Sequence, residues 1–138
     1  MKLLWLNDLE NPVPNRVVKP GTLNFTEIHR VKSFGQFKRW ITENGLPDFV
    51  SFDFDLDENY NHRAMVPLAD WYSVNEIRSY NGYDAAKWLV KYCVDTGTNL
   101  PYFNCHSEFQ KDRDIIEGFL NRYVKTIENA QVNERETA

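Results

Sequence analysis

The stretch Ser-Phe-Asp-Phe-Asp-Leu-Asp, residues 51–57, sets Asp53, Asp55 and Asp57 two residues apart at the end of an apolar run. In a strand, side chains two apart share a face, so Asp53 and Asp55 point the same way. Asp8 follows another apolar run, Leu3 to Leu6, and His106-Ser107 ends a third, around residues 100–107. Carboxylates crowded together repel unless a proton or a cation stands between them. An all-oxygen donor set suits a hard divalent ion. Mg²⁺ takes one or two carboxylates, waters and phosphate oxygens, and Mn²⁺ accepts the same ligands. The chemistry indicated is an acidic, phosphate-handling pocket in which Asp8, Asp53 and Asp55 bind metal. Asp53 is the first choice for a catalytic role. His106 is a general acid or base for the pH range near neutrality. Ser107 is a hydroxyl donor to a phosphate oxygen.

A phosphate also needs positive partners. A helix starting near Glu108 offers backbone N–H groups, and Lys111 and Arg113 in its first turns offer cations. Each of these residues has a plainer use. Asn7 and Asp8 can open a turn, Asp57 can be a solvated loop acid, and Ser107 can cap the helix behind it. Lys111 and Arg113 can be solvated. His29 and His62 read as surface or core-edge histidines. Tyr60, Trp71, Tyr72 and Tyr80 read as packing groups more readily than as stacking partners for a base.

What must position these groups is an alternation of strands and helices. Leu3–Leu6 is a short buried strand and residues 25–33 a second one. Ser33 caps a helix over 34–44, with Phe34, Phe37, Trp40 and Ile41 on one face; Gly45 and Pro47 end it. Residues 48–56 are too continuously apolar for a strand with a wet face, which predicts a strand covered on both sides. Residues 82–97 form a helix with Ala85, Ala86, Leu89, Val90 and Cys93 inward, closed by Gly97. Residues 100–107 are a strand and 108–129 a long amphipathic helix. The order β–β–α–β–α–β–α predicts a mostly parallel α/β sheet with helices on its faces. Asn7-Asp8, Asp53-Asp55 and His106-Ser107 then share the C-terminal edge of that sheet, where ligands of doubly wound folds bind. One domain is expected over residues 1–130, with an inserted loop at about 57–81 and a flexible tail at 131–138.

The 138 residues are 42% hydrophobic and 14% aromatic, enough for one packed core. The net charge of −4 argues against an extended DNA or membrane footprint. The first apolar run meets Asp8 too soon for a secretory signal, and no run reaches the length of a membrane span. Cys93 and Cys105 lie in apolar runs without metal-type spacing, which reads as two reduced thiols in a cytoplasmic protein. Homo-oligomerisation is left open.

Taken in order, LLWLND with NP close behind, SFDFDL, GYDAAKWLV and FNCHS resemble the receiver-like domains named for cyclic-phosphate processing, over roughly residues 3–123. That family is similar in fold to response-regulator receivers, which implies a flavodoxin-like three-layer α/β sandwich with a mostly parallel central sheet and helices on both faces. The resemblance implies metal-assisted hydrolysis of cyclic or terminal phosphates on nucleotides or RNA ends. It implies that Asp8, Asp53 and Asp55 bind metal or act on phosphate, and that His106 and Ser107 contact the phosphoryl group. Asp84 would support the site or the next helix's start, Asn7 stands in the acidic pair, and Arg113 falls near a family arginine. The chain departs from the pattern at Asn7, where an acid is usual, at Glu10, where an arginine is common, and at Phe54, where a histidine is often found. Glu108-Phe109 follows the HS pair where the family tends to have a small residue and Asn-Pro. A receiver-type lysine after a fifth strand is missing, which argues against an ordinary phospho-switch. Three readings follow: a metal-dependent phosphoesterase; a non-catalytic receiver-like module binding a nucleotide or a protein; and a DxD phosphatase in which Asp53 attacks, Asp55 is the acid and Lys111 supplies the cation.

Overall fold

Leu3, Leu4, Trp5 and Leu6 offer no charged group to either side, and all four are fully buried in strand β1 (Lys2–Leu6) of the computed structural model. The structure describes residues 1–9, 11–12, 25–56 and 80–137, with side chains through residue 130. Glu10, Asp57, Tyr60, His62, Trp71 and Tyr72, and most of the expected 57–81 loop, lie outside the described residues.

β1 pairs in parallel with β2 (Glu27–Val31) on one side and β3 (Phe49–Phe52) on the other. β3 pairs in parallel with β4 (Tyr102–Cys105), giving the order β2-β1-β3-β4. The chain therefore moves outward from β1 in both directions, and the winding reverses between β1 and β3. That is the switch point at which α/β sheets open a crevice beyond the strand ends.

Alternation along β1 and β3 sends Leu4, Leu6, Val50 and Phe52 to one face of the sheet, and Leu3, Trp5 and Phe49 to the other. Three helices cover the first face: α1 (Phe34–Asn44), α2 (Gly82–Thr96) and α3 (Gln110–Thr137). Their inward residues Phe37, Ile41, Ala85, Ala86, Leu89, Cys93, Ile116 and Leu120 form one core with the four strand residues. The α/β class, the parallel sheet and the receiver-like fold are as expected. The described helices pack in a row, α1 on α2 and α2 on α3. Phe25 packs on the second face, edge-on to Phe49.

The helix ends follow local chemistry. The Ser33 hydroxyl accepts from the Gln36 N–H at 3.0 Å, and Gly97, at φ 66°, closes α2 in the left-handed conformation. The α3 backbone runs on to Thr137. Tyr80 packs edge-on to Phe34. Both cysteines are free and buried. Among the described residues no helix is long and apolar enough to cross a membrane.

Candidate functional site

Each strand that ends at the switch point passes its ladder one residue further. Asn7 N–H donates to Val31 O at 3.0 Å, Asp53 N–H to Leu6 O at 2.9 Å, and His106 N–H to Phe52 O at 2.9 Å. The backbone of all three chemical clusters is thus pinned to the sheet. Beyond them lies a cleft of about 300 Å³. The loop after β1 contributes Asn7, Asp8 and Leu9, and the loop after β3 contributes Asp53, Asp55 and Leu56. His106, Ser107, Glu108 and Phe109 close the third side at the start of α3.

Two arginines hold the walls from behind. Arg30 on β2 donates through Nε to Asn7 O at 3.2 Å and through Nη2 to Asp8 O at 3.0 Å, and it reaches Asn11 Oδ1 at 2.9 Å. Arg113 donates through Nη1 to Ser107 O at 2.6 Å and to Glu108 O at 3.0 Å, and through Nη2 to Gln110 Oε1 at 2.8 Å. Both guanidiniums satisfy loop carbonyls that have left the sheet ladder.

The GYD segment holds the third wall. Asn81 and Asp84 form a capping box at the start of α2: each side chain accepts the other's backbone N–H, at 3.1 and 2.9 Å. Gly82 donates to Phe54 O at 2.7 Å, and a Cβ built on it would meet Asp53 O at 1.7 Å. Only a glycine lets the helix come this close to the loop that carries Asp53.

His106 is 5% exposed and stacks on Trp5, with ring centroids 3.7 Å apart and planes 4° from parallel. The Asn7 Oδ1 accepts from Leu9 N–H at 2.9 Å, which turns its amide nitrogen toward His106 Nε2 at 3.0 Å. Nε2 is then an acceptor, so the ring proton sits on Nδ1 and is donated to Ser51 Oγ at 2.7 Å. The Ser51 hydroxyl passes its own proton to Asn104 Oδ1 at 2.6 Å. One directed chain therefore runs from the β1 loop through β3 to β4, and it ties up both ring nitrogens.

The acids show the expected crowding. Burial, followed by the carboxylates of Asp112 and Asp8, pushes the Asp55 carboxyl above its ordinary range. Burial first of all, with Glu117, Asp53 and Asp112 adding to it, pushes the Cys105 thiol up to about 12. Asp112 accepts from the Ser107 hydroxyl at 3.3 Å. Among the described residues no three His, Cys, Asp or Glu side chains form a ready-made metal cage. The donor chemistry of the cleft nonetheless suits Mg²⁺ or Mn²⁺. Such an ion needs one or two carboxylates here, with water and phosphate oxygens filling the rest.

Asn7, Asp8, Asp53, Asp55, His106 and Ser107 are thus brought to one cleft, and Asp84 sits in the capping box beside it. Two expected phosphate contacts are not brought there. Lys111 faces another groove, with Tyr83, Asp114 and Arg122, because its phase on α3 turns it away from the strand ends. Arg113 is drawn behind the β4–α3 loop by the carbonyls it caps. Sequence reasoning missed Arg30, Ser51 and Asp112. Only Asp112, in the first turn of the helix after the HS pair, carried a readable signal.

A family model described as the cyclic-phosphate processing receiver domain matches residues 2–122. No curated protein and no solved structure gives a significant match to the chain.

Proposed function

The chain belongs to the cyclic-phosphate processing receiver family, and from that premise we propose that its cleft hydrolyses cyclic or terminal phosphates of nucleotides or RNA ends with a divalent cation. The observation that carries this reading is the convergence of Asp8, Asp53 and Asp55 with Ser107 and the start of α3 on one cleft. Asp8, Asp53 and Asp55 are the carboxylates of which one or two would hold Mg²⁺ or Mn²⁺, with water and phosphate oxygens filling the rest. When bound, the ion would withdraw charge from the phosphoryl group and lower the pKa of a water.

The chain's own groups do the rest. Asp53 is fixed by its backbone bond to Leu6 and by Phe54 N–H donating to its Oδ1 at 2.9 Å, so one carboxylate oxygen is oriented and the group does not swing. The N-terminal turn of α3 directs its dipole and amide groups at a phosphate in the cleft. Ser107 supplies a hydroxyl at the same wall, held by Asp112. His106 also has a positioning role: its ring bonds the Asn7 amide, and through Asn7 it holds the Asp8 loop.

A second reading is favoured by the same geometry. His106, Asn7, Arg30 and Arg113 are all engaged in holding the walls, which suits a module that binds a phosphate-bearing nucleotide without cleaving it. Turnover of 2′,3′-cyclic, 3′,5′-cyclic and ADP-ribose-type cyclic phosphates with Mg²⁺ or Mn²⁺ separates the two. Metal-dependent release of the monoester supports the hydrolase; saturable binding without release supports the module.

A further inference from the structure

The cleft has an apolar rim that its acidic floor does not require. Leu9 is 77% exposed and Phe109 is 64% exposed, and both line the cleft. Neither is a loosely attached side chain. Phe109 O accepts from both Asp112 N–H and Arg113 N–H at 3.1 Å, which anchors it at the entry to α3. Leu9 N–H is held by the Asn7 side chain, the same amide that locks His106. Two large apolar side chains are therefore displayed to solvent on backbone that the site itself fixes.

Their placement is opposed. Leu9 follows β1 and Phe109 follows β4, and these strands flank β3, whose loop carries Asp53. With strands about 4.8 Å apart, the rims stand on the order of 10 Å from each other across the acids. A phosphoryl group drawn to the floor leaves the organic part of its ester between these rims. A base-free sugar phosphate would meet them with hydroxyls and gain nothing. A flat heteroaromatic ring would cover the Phe109 face.

We propose that Phe109, with Leu9 opposite, is the nucleobase platform of this cleft, so that its ligands are nucleoside phosphates and not base-free sugar phosphates. This rests on the phosphate-binding reading above and deepens it. Neither side chain carries a hydrogen-bonding group, so the platform accepts all four bases, with purines held more tightly than pyrimidines because they cover more of the ring. Stacking of this kind tolerates any base, since every base has a π-face.

The test is calorimetric affinity for adenosine 3′-monophosphate and for ribose 3-phosphate, with Mg²⁺, on wild type, Phe109→Ala and Phe109→Trp. The side chain is exposed, so the variants are expected to fold. The nucleotide-to-sugar affinity ratio should fall about tenfold in Phe109→Ala and be restored in Phe109→Trp. An unchanged ratio in Phe109→Ala overturns the platform, as does wild-type protein binding the two ligands equally. If neither ligand binds wild type at all, the phosphate reading fails with it. Because affinity is read without turnover, an inactive protein that binds the nucleotide and loses the ratio in Phe109→Ala sinks only the hydrolase reading.

Discussion

Gly82→Ala is the smallest change that should dismantle the site. The new methyl carbon would lie 1.7 Å from Asp53 O and 2.8 Å from Asp53 C, both backbone atoms. To reach even 3.0 Å from the oxygen, helix and loop must separate by about 1.3 Å. That movement stretches the 2.7 Å bond from Gly82 N–H to Phe54 O beyond hydrogen-bonding range. Losing a buried backbone bond costs about 1–3 kcal/mol, and repacking around the intruding methyl about 1–3 more. A total of roughly 3 kcal/mol leaves a typical domain folded but lowers its melting temperature by about 10 °C. The displaced loop carries Asp53, and a misplacement of about 1 Å at a reacting centre costs on the order of 100-fold in rate. Thermal unfolding together with phosphate turnover, or Mn²⁺ affinity where turnover is absent, reads both effects. A variant that melts within a degree or two of wild type and keeps its activity would refute the argument that Gly82 sets the approach of α2 to the acids.

Three further outcomes follow from the same geometry. Ser51→Ala removes the buried hydroxyl that links His106 Nδ1–H to Asn104 Oδ1 and should cost about 1–3 kcal/mol in chemical denaturation; in wild type, nitrogen NMR should show a protonated Nδ1 and a bare Nε2, and the opposite tautomer would contradict the hydrogen-bond chain. Asp55 has a raised carboxyl pKa in the fold, so the native state keeps its proton to higher pH than the unfolded chain, and stability is lost as pH rises above the ordinary aspartate range. Asp55→Asn should therefore raise the melting temperature near neutral pH without metal and leave it unchanged at about pH 3; a loss of stability near neutral pH would contradict the repulsion. Cys105, pushed up to about 12 by burial, should resist alkylation at about pH 8 until the protein is unfolded, and rapid labelling of the native protein by mass spectrometry would contradict its burial.

The convergence of the acids was legible because it follows from topology alone. Parallel pairing places every strand's C-terminus on one edge, so Asp8, Asp53 and His106 had to meet once LLWL, FVSF and FNC were read as neighbours. The 34–44 helix was legible because Ser33 and Gly45 mark its ends chemically. What stayed hidden depends on side-chain direction. Successive residues on a helix differ by about 100°, so moving the start of the last helix from residue 108 to 110 decides whether Lys111 or Asp112 turns toward Ser107. Arg113 reads as a phosphate ligand until the Ser107 and Glu108 carbonyls claim it. Ser51 reads as a small core residue, and only the register that sets it beside Asn104, itself two residues before His106, shows its hydroxyl to be a link.

The most direct measurement is phosphate-ester turnover by wild type and Asp53→Asn on the cyclic-phosphate panel, with and without Mg²⁺ or Mn²⁺. The asparagine keeps an Oδ1 to accept from Phe54 N–H, so the loop should hold its shape while the charge is lost. Metal-dependent turnover in wild type that disappears in a folded Asp53→Asn is the predicted result. Equal turnover in the two proteins would contradict the assignment of this cleft as the site of phosphate chemistry.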